Sequence, residues 1–385
     1  MSRTNTALLG ISLAVLSIAA SAHAAILVDG CSPNVSTLQD DRSHYRQSFV
    51  PVGDGVKLEV LDWGGTGRPL VLLAGLGNSA HVFDMIAPEL ARHFHVYGIT
   101  RRGFGASSVP KTGYTPEQLS DDVMVVLKAL SIQRPIVVGH SIAGEELSAI
   151  GNRFPDRVAG LVYLDAAHEY AIYDPQRGGY LPDLNQLSTQ IAHMQDDPLD
   201  KQQMIALLKD TSALQRSLGE PIHAISLDEA STAGASPAPP SAATMASFSA
   251  FRCFVSAQVG GLLPEDEIRQ TFTETATGGV GEQKAPDFVS TAIWGHEERF
   301  QAPDVPILDI VPLPRASDLP VGSDPAKRRA AETFRTQSQE AEIATLQHQR
   351  PSAKIVRIPH GHHYIFLSNQ AEVVRAIDAF GSGLP

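Results

Sequence analysis

Four runs of mainly apolar residues constrain the fold of this chain more than any other feature. Runs of this kind, which lack polar alternation, are typical of strands buried on both faces of a parallel sheet. An alternating segment at 56–64 and a shorter run at 95–100 add two more predicted strands. The four main runs are "PLVLLAGL" (69–76), "PIVVG" (135–139), "VAGLVYLDA" (158–166) and "VPILDIVPL" (305–313).

Helix signals separate these runs. Thr115 can cap a helix that has Pro116 in its first turn and Gln118 three residues after the cap. Strands that alternate with helices predict an α/β fold with a mostly parallel central sheet flanked by helices. The remaining predicted elements are a helix that begins at Ile142, a long helix at about 324–349, a strand at 353–359 and a last helix at 370–380.

The alternation stops between residues 168 and 300. This segment contains helical stretches such as 200–218 but no clean strands, and residues 231–247 are rich in Ala, Ser and Pro, as flexible loops are. The sequence therefore predicts one sheet domain, formed by residues 25–167 and 301–385, with a helical cap or lid inserted at 168–300.

The first 24 residues have the three parts of a secretory signal peptide. Arg3 supplies positive charge, residues 7–20 form an apolar run, and Ala22-His23-Ala24 gives a small-x-small cleavage pattern. The run is shorter than the ~20 apolar residues that a membrane span needs. Cys31 lies too far beyond it to make a good lipoprotein signal. We expect cleavage after Ala24 and a periplasmic or secreted protein with no stable membrane span.

Composition narrows the possible partners. The formal net charge is −12 and no long Lys/Arg cluster occurs, so nucleic acid is not an expected partner. Hydrophobic residues make up 43% of the chain and charged residues 19%, which favours a packed globular protein over a disordered one. Cys31 and Cys253 are the only cysteines, and in an oxidising compartment they could either pair or remain as two thiols.

Ser141 lies where the run at 135–139 ends and a predicted helix begins. In "GHSIAG" (139–144) the serine is flanked by small residues. A sharp strand-to-helix turn exposes the oxygen of a nucleophilic serine, and small neighbours tolerate its strain. The alternative is a serine that caps the helix. The motif resembles the nucleophile elbow of the α/β-hydrolase superfamily, with Ala143 where glycine is commoner.

A second loop strengthens this resemblance. "LLAGLGNSAHVF" (72–83) is similar to the oxyanion loop of the family, with Ala74 in place of the usual histidine while both glycines remain. Because the oxyanion hole uses backbone N–H groups, the loss of that histidine need not abolish it. The resemblance implies that the N–H groups of Leu76 and Ile142 are the donors. An ordinary glycine turn is the alternative.

A third loop, "YGITRRGFGASS" (97–108), resembles the loop that follows the fourth strand of the family. Thr100 stands where the family usually has aspartate. We interpret this loop as structural. The resemblance covers nearly all of the chain after residue 24 except the insertion.

Three histidines follow the last predicted strand, in "IPHGHHYIFLSN" (358–369). Family members usually show Gly-His at the catalytic base, which points to His362. The segment after the base is usually aromatic, aliphatic, aromatic and Leu, and "YIFL" matches this pattern if His363 is the base. We favour His363 and retain His362 and His360 as alternatives. A surface histidine cluster or metal site is another interpretation, but no other His or Cys group has ligand spacing, so no metal or cofactor is expected.

The acid that would orient this histidine is the least ordinary part of the pattern. The family usually places it just after the strand before the last, but here "PRAS" separates the run at 305–313 from Asp318. Asp309 lies inside that run, where its side chain would point to a sheet face. Asp165 closes the preceding run, and the ends of neighbouring parallel strands lie ~5 Å apart. Because an unpaired carboxylate there would be costly to bury, we favour Asp165. Asp318 and a structural role for Asp165 in the first turn of the cap are the alternatives.

The candidate serine, histidine and aspartate indicate which reaction the protein catalyses. A serine at the elbow argues against dehalogenase and epoxide hydrolase chemistry of the same family, which needs a carboxylate nucleophile. The resemblance implies hydrolysis of a small-molecule carboxylic ester or lactone, in which Ser141 attacks, His363 transfers the proton and Asp165 orients the imidazole. Amide or peptide hydrolysis, C–C bond hydrolysis and acyl transfer are alternatives, and a non-catalytic binding protein is a further one.

The signal peptide predicts where the mature chain begins. Expression in a secreting bacterial host should release a protein whose first residue is Ala25, because the peptidase cleaves after the small-x-small pattern. Intact-mass spectrometry of the periplasmic or secreted fraction gives the N-terminus. An uncleaved Met1 in that fraction would contradict the prediction.

Overall fold

The computed structural model describes residues 44–167, 171–173, 240–296, 298–316 and 325–385. Eight of the strands within this part of the chain form one sheet, and two form a separate hairpin. In chain order the strands are β1 (Arg46–Gly53), β2 (Val56–Gly64), β3 (Pro69–Leu73), β4 (His95–Ile99), β5 (Ile136–His140), β6 (Gly160–Leu164), β7 (Phe272–Glu274), β8 (Val280–Gln283), β9 (Ile307–Pro312) and β10 (Lys354–Ile358).

The large sheet has the order β1-β2-β4-β3-β5-β6-β9-β10. The pairs β1–β2 and β2–β4 are antiparallel, and all other neighbours are parallel. The prediction of a mostly parallel central sheet is therefore confirmed. Strand β1 was not among the predicted strands. It forms an edge hairpin with β2 through a turn at 53–55.

Side chains of the central strands alternate between two cores, one on each face of the sheet. In β3, Leu70 and Leu72 belong to one core, while Val71 and Leu73 belong to the other. The same alternation occurs in β5 and β6. Because successive side chains of a strand point to opposite faces, a continuous apolar run is what a sheet covered on both sides requires.

Helices cover these two faces. The helix that follows Thr115 begins as predicted, since the Thr115 side chain accepts a hydrogen bond from the Gln118 N–H. None of the described helices combines the length and the apolar composition that a membrane span requires. The helices are α1 (Ala87–Leu90), α2 (Pro116–Ala129), α3 (Ala143–Arg153), α4 (Ala242–Met245), α5 (Phe248–Val259), α6 (Glu265–Thr271), α7 (Asp287–Gly295), α8 (Pro325–Gln349), α9 (Ile365–Ser368) and α10 (Gln370–Ser382).

The described part of the predicted insertion, mainly residues 240–296, is helical except for one hairpin. The expectation that the insertion lacks strands is wrong for β7 and β8, which pair across a turn where Gly278 adopts φ +82°. A short polar hairpin of this kind has no apolar run that marks it in the sequence. Most of the Ala/Ser/Pro-rich loop lies outside the described residues, as do the signal peptide and Asp318. Cys253 is disulfide-bonded, and Cys31 also lies outside the described residues.

Helix α3 packs closely against the end of β6. A Cβ on Gly144 would overlap the carbonyl oxygen of Ala166, whereas a Cβ on Gly295, at the end of α7, would meet nothing within 4 Å. Helix α3 therefore depends on the missing side chain at residue 144.

We expect Gly144→Ala to lower the free energy of unfolding by about 3 kcal/mol, because the added methyl forces α3 away from the sheet. The matched substitution Gly295→Ala should change it by no more than about 1 kcal/mol. Urea denaturation followed by circular dichroism measures both. Equal stability of the two variants would show that α3 does not need this close contact.

Candidate active site

Ser141 occupies a strained turn between β5 and α3. Its φ is +56°, a left-handed conformation that is uncommon for residues other than glycine. The Ser141 N–H donates to the carbonyl oxygen of Leu164 (3.3 Å), and its own carbonyl accepts from the Gly144 N–H (2.9 Å). The N-cap residue of α3 is Ile142, and no side chain caps this helix. The serine is therefore held at the end of a central strand without acting as a helix cap.

Asp165 lies at the end of the next strand, in the same kind of conformation. Its φ is +47°, and its N–H donates to the carbonyl of Ile310 in β9 (2.9 Å). Its Oδ2 lies 2.7 Å from Nδ1 of His363, in the loop after β10. The structure thus brings together Asp165 and His363 at the carboxyl edge of the sheet, where Ser141 also lies.

The other sequence candidates are placed differently. His360 is exposed and has φ +58°. His362 lies against the end of α5, where a Cβ on Gly260 would overlap its ring. Asp309 is buried inside β9, between Tyr163 and Ile355 of the neighbouring strands. Asp318, the alternative acid, is not among the described residues.

Arg315 is a charged neighbour of the site that sequence reasoning missed. Its Nη2 donates to Oδ2 of Asp165 at 2.5 Å, so this oxygen faces both the guanidinium and the imidazole. Burial opposes ionisation of Asp165, but Arg315 and His363 outweigh it and hold the pKa of the carboxyl well below its usual range. The acid is therefore ionised throughout the neutral range. Arg315 belongs to the "PRAS" segment, which the sequence marked only as an interruption before Asp318.

His140, the residue before Ser141, contacts the loop of His363. The centroids of the two imidazole rings lie 4.6 Å apart, and Nε2 of His140 lies 3.1 Å from the carbonyl oxygen of His363. Burial lowers the pKa of His140 well below its usual value, so the ring is neutral and donates its Nε2–H to that carbonyl. The residue next to the serine therefore supports the backbone of the histidine loop.

The loop after β3 touches the serine turn. A Cβ on Gly75 would lie 3.3 Å from Cβ of Ser141 and 2.8 Å from Nδ1 of His140. The N–H groups of Leu76 and Ile142 donate to no other residue in the described ranges. These are the two amides that the resemblance names as oxyanion donors.

A glutamate of the predicted insertion lies beneath this loop. Glu267, at the start of α6, is fully buried and accepts hydrogen bonds from the side chains of Asn78 (2.8 Å) and Ser79 (2.5 Å). Asn78 in turn accepts from the Tyr364 hydroxyl, next to His363 (3.1 Å). Burial raises the pKa of Glu267. This network joins the insertion to the loop after β3 and to the loop after β10. No motif in the sequence predicted it.

One group of described residues has the composition of a metal site. His81, Asp84 and Asp266 each offer a ligand atom within 4.8 Å of the others. However, the two nitrogens of His81 lie 3.1 Å from Asp84 and 3.5 Å from Glu59. Burial opposes a charge on the ring, but both carboxylates overcome it and raise the pKa of His81 to about 10. A protonated imidazole has no lone pair for a metal, so we interpret the group as a buried charge network.

Comparison with known proteins agrees with this fold. A family model described as the α/β-hydrolase fold matches residues 68–190. A solved structure of E-2-(acetamidomethylene)succinate hydrolase superposes with a TM-score of 0.55 and 16% identity, covering 88% of this chain and all of that chain. This chain has the α/β-hydrolase fold.

Curated proteins are similar to this chain over shorter stretches. The 2-(acetamidomethylene)succinate hydrolase of Mesorhizobium japonicum is 28% identical over 101 residues, or 26% of this chain and 36% of that protein. The fluoroacetate dehalogenase of a Burkholderia species is 29% identical over 135 residues, or 34% and 44%. The match spans less than half of each relative's length. These α/β-hydrolase relatives are named for different reactions, so the chemistry of this chain has to be argued from its own site.

Proposed function

We propose that this α/β-hydrolase cleaves a small carboxylic ester or lactone through an acyl-enzyme intermediate. The observation that carries the proposal is the contact of 2.7 Å between His363 Nδ1 and Asp165 Oδ2, at the sheet edge where the strained turn presents Ser141. A buried acid, an imidazole and a serine at one edge are the three parts that nucleophilic acyl transfer needs.

The proposed reaction has two halves. In the first, Ser141 Oγ attacks the carbonyl carbon while Nε2 of His363 takes the hydroxyl proton. The N–H groups of Leu76 and Ile142 stabilise the oxyanion, and the alkoxide leaves with the proton from His363. In the second half, water attacks the acyl-enzyme, His363 takes its proton and returns it to Ser141, and the carboxylic acid leaves. The reaction needs no cofactor.

Asp165 supports both halves electrostatically. Because its carboxylate accepts from Nδ1–H, the lone pair of His363 is kept on Nε2, which faces the serine in this mechanism. The carboxylate also stabilises the imidazolium that forms in each half. Arg315 contributes by keeping Asp165 ionised.

Amide hydrolysis is a second candidate for the same residues. The relative from Mesorhizobium japonicum is named for a substrate that contains an acetamido group. The reaction with an amide follows the same steps, except that His363 must protonate a nitrogen leaving group. Dehalogenation, the activity for which the Burkholderia relative is named, is disfavoured because a serine stands at the nucleophile position. We propose that the enzyme acts in the periplasm or outside the cell, on the basis of the predicted signal peptide.

Ser141→Ala should abolish hydrolysis, with a loss of about 10³-fold or more in kcat/KM, because no other nucleophile replaces the hydroxyl. A panel of p-nitrophenyl esters of graded chain length, with lactones and amides beside them, identifies the substrate and measures the loss. Ser131→Ala is a matched control, because Ser131 also has φ +56° but lies in an exposed turn after α2. Near-normal turnover by Ser141→Ala would refute the proposed nucleophile.

Asp165→Asn should lower turnover by roughly 10⁴-fold, because an amide no longer fixes the tautomer of His363 or stabilises its charge. Asp318→Asn should retain activity. Steady-state kinetics on the best substrate of the panel compares the two variants. If Asp318→Asn is inactive while Asp165→Asn keeps its turnover, Asp318 is the acid.

A further inference from the structure

Arg101 holds the loop that precedes the proposed oxyanion donor. This arginine lies just after β4 and is buried, with 6% of its surface exposed. Its Nη2 donates to the carbonyl oxygen of Ala74 (2.9 Å) and its Nη1 to that of Gly75 (3.3 Å). A guanidinium thus spans two consecutive carbonyls of the loop after β3. The sequence suggested only a structural role for residues 97–108.

The Gly75 carbonyl and the Leu76 N–H belong to one peptide group. Since the peptide group is planar, a hydrogen bond that fixes the carbonyl also fixes the direction of the N–H on its opposite side. A charged donor on the carbonyl also polarises the group, which makes the N–H a stronger donor. Arg101 therefore acts on both the orientation and the strength of the Leu76 amide.

The partner of Arg101 lies on the other side of the oxyanion hole. Glu146 forms an ion pair with Nε of Arg101, and its side chain is 5% exposed. It belongs to α3, four residues after Ile142, which provides the second proposed donor. Arg101 consequently links the loop of one donor to the helix that begins at the other.

Stability alone does not account for this arrangement. Burial of two charges costs desolvation energy that their attraction often does no more than offset, so a buried ion pair is weak evidence of a stabilising role. Arg102, the next residue, forms a similar buried pair with Asp122 (2.6 and 2.7 Å) and also donates to the Thr112 carbonyl (3.4 Å). Of these two ion pairs, only Arg101–Glu146 contacts the loop after β3, which lies beside Ser141.

We propose that Arg101 is a positioning residue that preorganises the Leu76 N–H as an oxyanion donor, with Glu146 holding the guanidinium in place. The proposal rests on the proposed function, since it assigns a transition-state role to that amide. Preorganised donors are a large contribution to acyl-transfer catalysis because they need no reorientation during the reaction.

The peptide group itself can be observed. The chain contains four Gly-Leu pairs, at 75–76, 160–161, 261–262 and 383–384. Protein labelled with carbonyl-¹³C glycine and ¹⁵N leucine therefore gives four cross-peaks in an HNCO spectrum, and Leu76→Ile identifies the one from residues 75–76. Arg101→Met should move this carbonyl resonance upfield, because the carbonyl loses the charged guanidinium donor and keeps the Asn78 N–H (3.3 Å), while the other three resonances stay in place. An unmoved 75–76 cross-peak would overturn the proposal.

Kinetics gives the second readout. Arg101→Met should lower kcat by about 10- to 100-fold with little change in KM, because the donor remains but is less well oriented, which costs less than its removal. Arg101→Lys keeps the charge but cannot span both carbonyls, so its kcat should be intermediate. A loss that appears in KM alone would also overturn the proposal.

Arg102→Met is the matched control. It breaks a neighbouring buried pair, so it should lower stability while leaving kcat and the 75–76 cross-peak unchanged. An equal fall of kcat in Arg102→Met would assign the effect to general destabilisation and contradict the positioning role. If Arg101→Met does not fold, the double variant Arg101→Met/Glu146→Met leaves no unpaired buried charge and takes its place in both measurements.

The proposed reaction and the proposed role of Arg101 can be refuted independently. The cross-peak experiment requires no substrate, so it tests the hold of Arg101 on the peptide group even if no ester is cleaved. Normal turnover by Ser141→Ala refutes the reaction but does not move the 75–76 resonance. An unmoved resonance in an enzyme that depends on Ser141 refutes the role of Arg101 alone.

Discussion

Two neighbouring strands end in residues with left-handed backbone, and the site depends on this constraint. Ser141 follows β5 with φ +56°, and Asp165 follows β6 with φ +47°. Each reverses the chain direction at once, so that its side chain stays at the carboxyl edge of the sheet. Such conformations cost on the order of 1–3 kcal/mol each, which the surrounding packing has to supply. The close approach of Gly144 to the carbonyl of Ala166 shows how tightly the two turns are packed together.

Buried charges around this edge are arranged in pairs. Asp165 faces both Arg315 and His363, and Arg101 faces Glu146. In each case the acidic and basic members come from different strand ends or helices, so the pairs join elements as well as neutralise each other. Burial of an isolated charge at these depths would be costly: an unpaired carboxylate would gain a proton, and an unpaired guanidinium would turn toward solvent. The charges therefore help to fix the relative positions of the loops that form the site.

Much of the fold was predictable because it rests on local patterns. Apolar runs marked the central strands, and the Thr115 cap marked α2, since both depend on residues close in sequence. The placement of Asp165 beside His363 followed from the adjacency of strand ends. Arg315, Arg101 and Glu267 were not predictable as neighbours of the site, because loop conformation and packing between distant segments bring them there. The hairpin β7–β8 was missed for a related reason, since a short polar strand carries no apolar signal.

The described helices of the insertion pack against the sheet domain more extensively than a freely moving lid would. Within the described ranges, Phe248, Phe251, Val255 and Val259 of α5 pack into the same core as one face of the sheet. Removal of such side chains from the core costs about 1.5–3 kcal/mol each. Opening would also break the buried hydrogen bonds of Glu267 with Asn78 and Ser79. Movement of α5 and α6 away from the sheet would therefore expose these side chains and release the loop that contains Asn78 and Ser79.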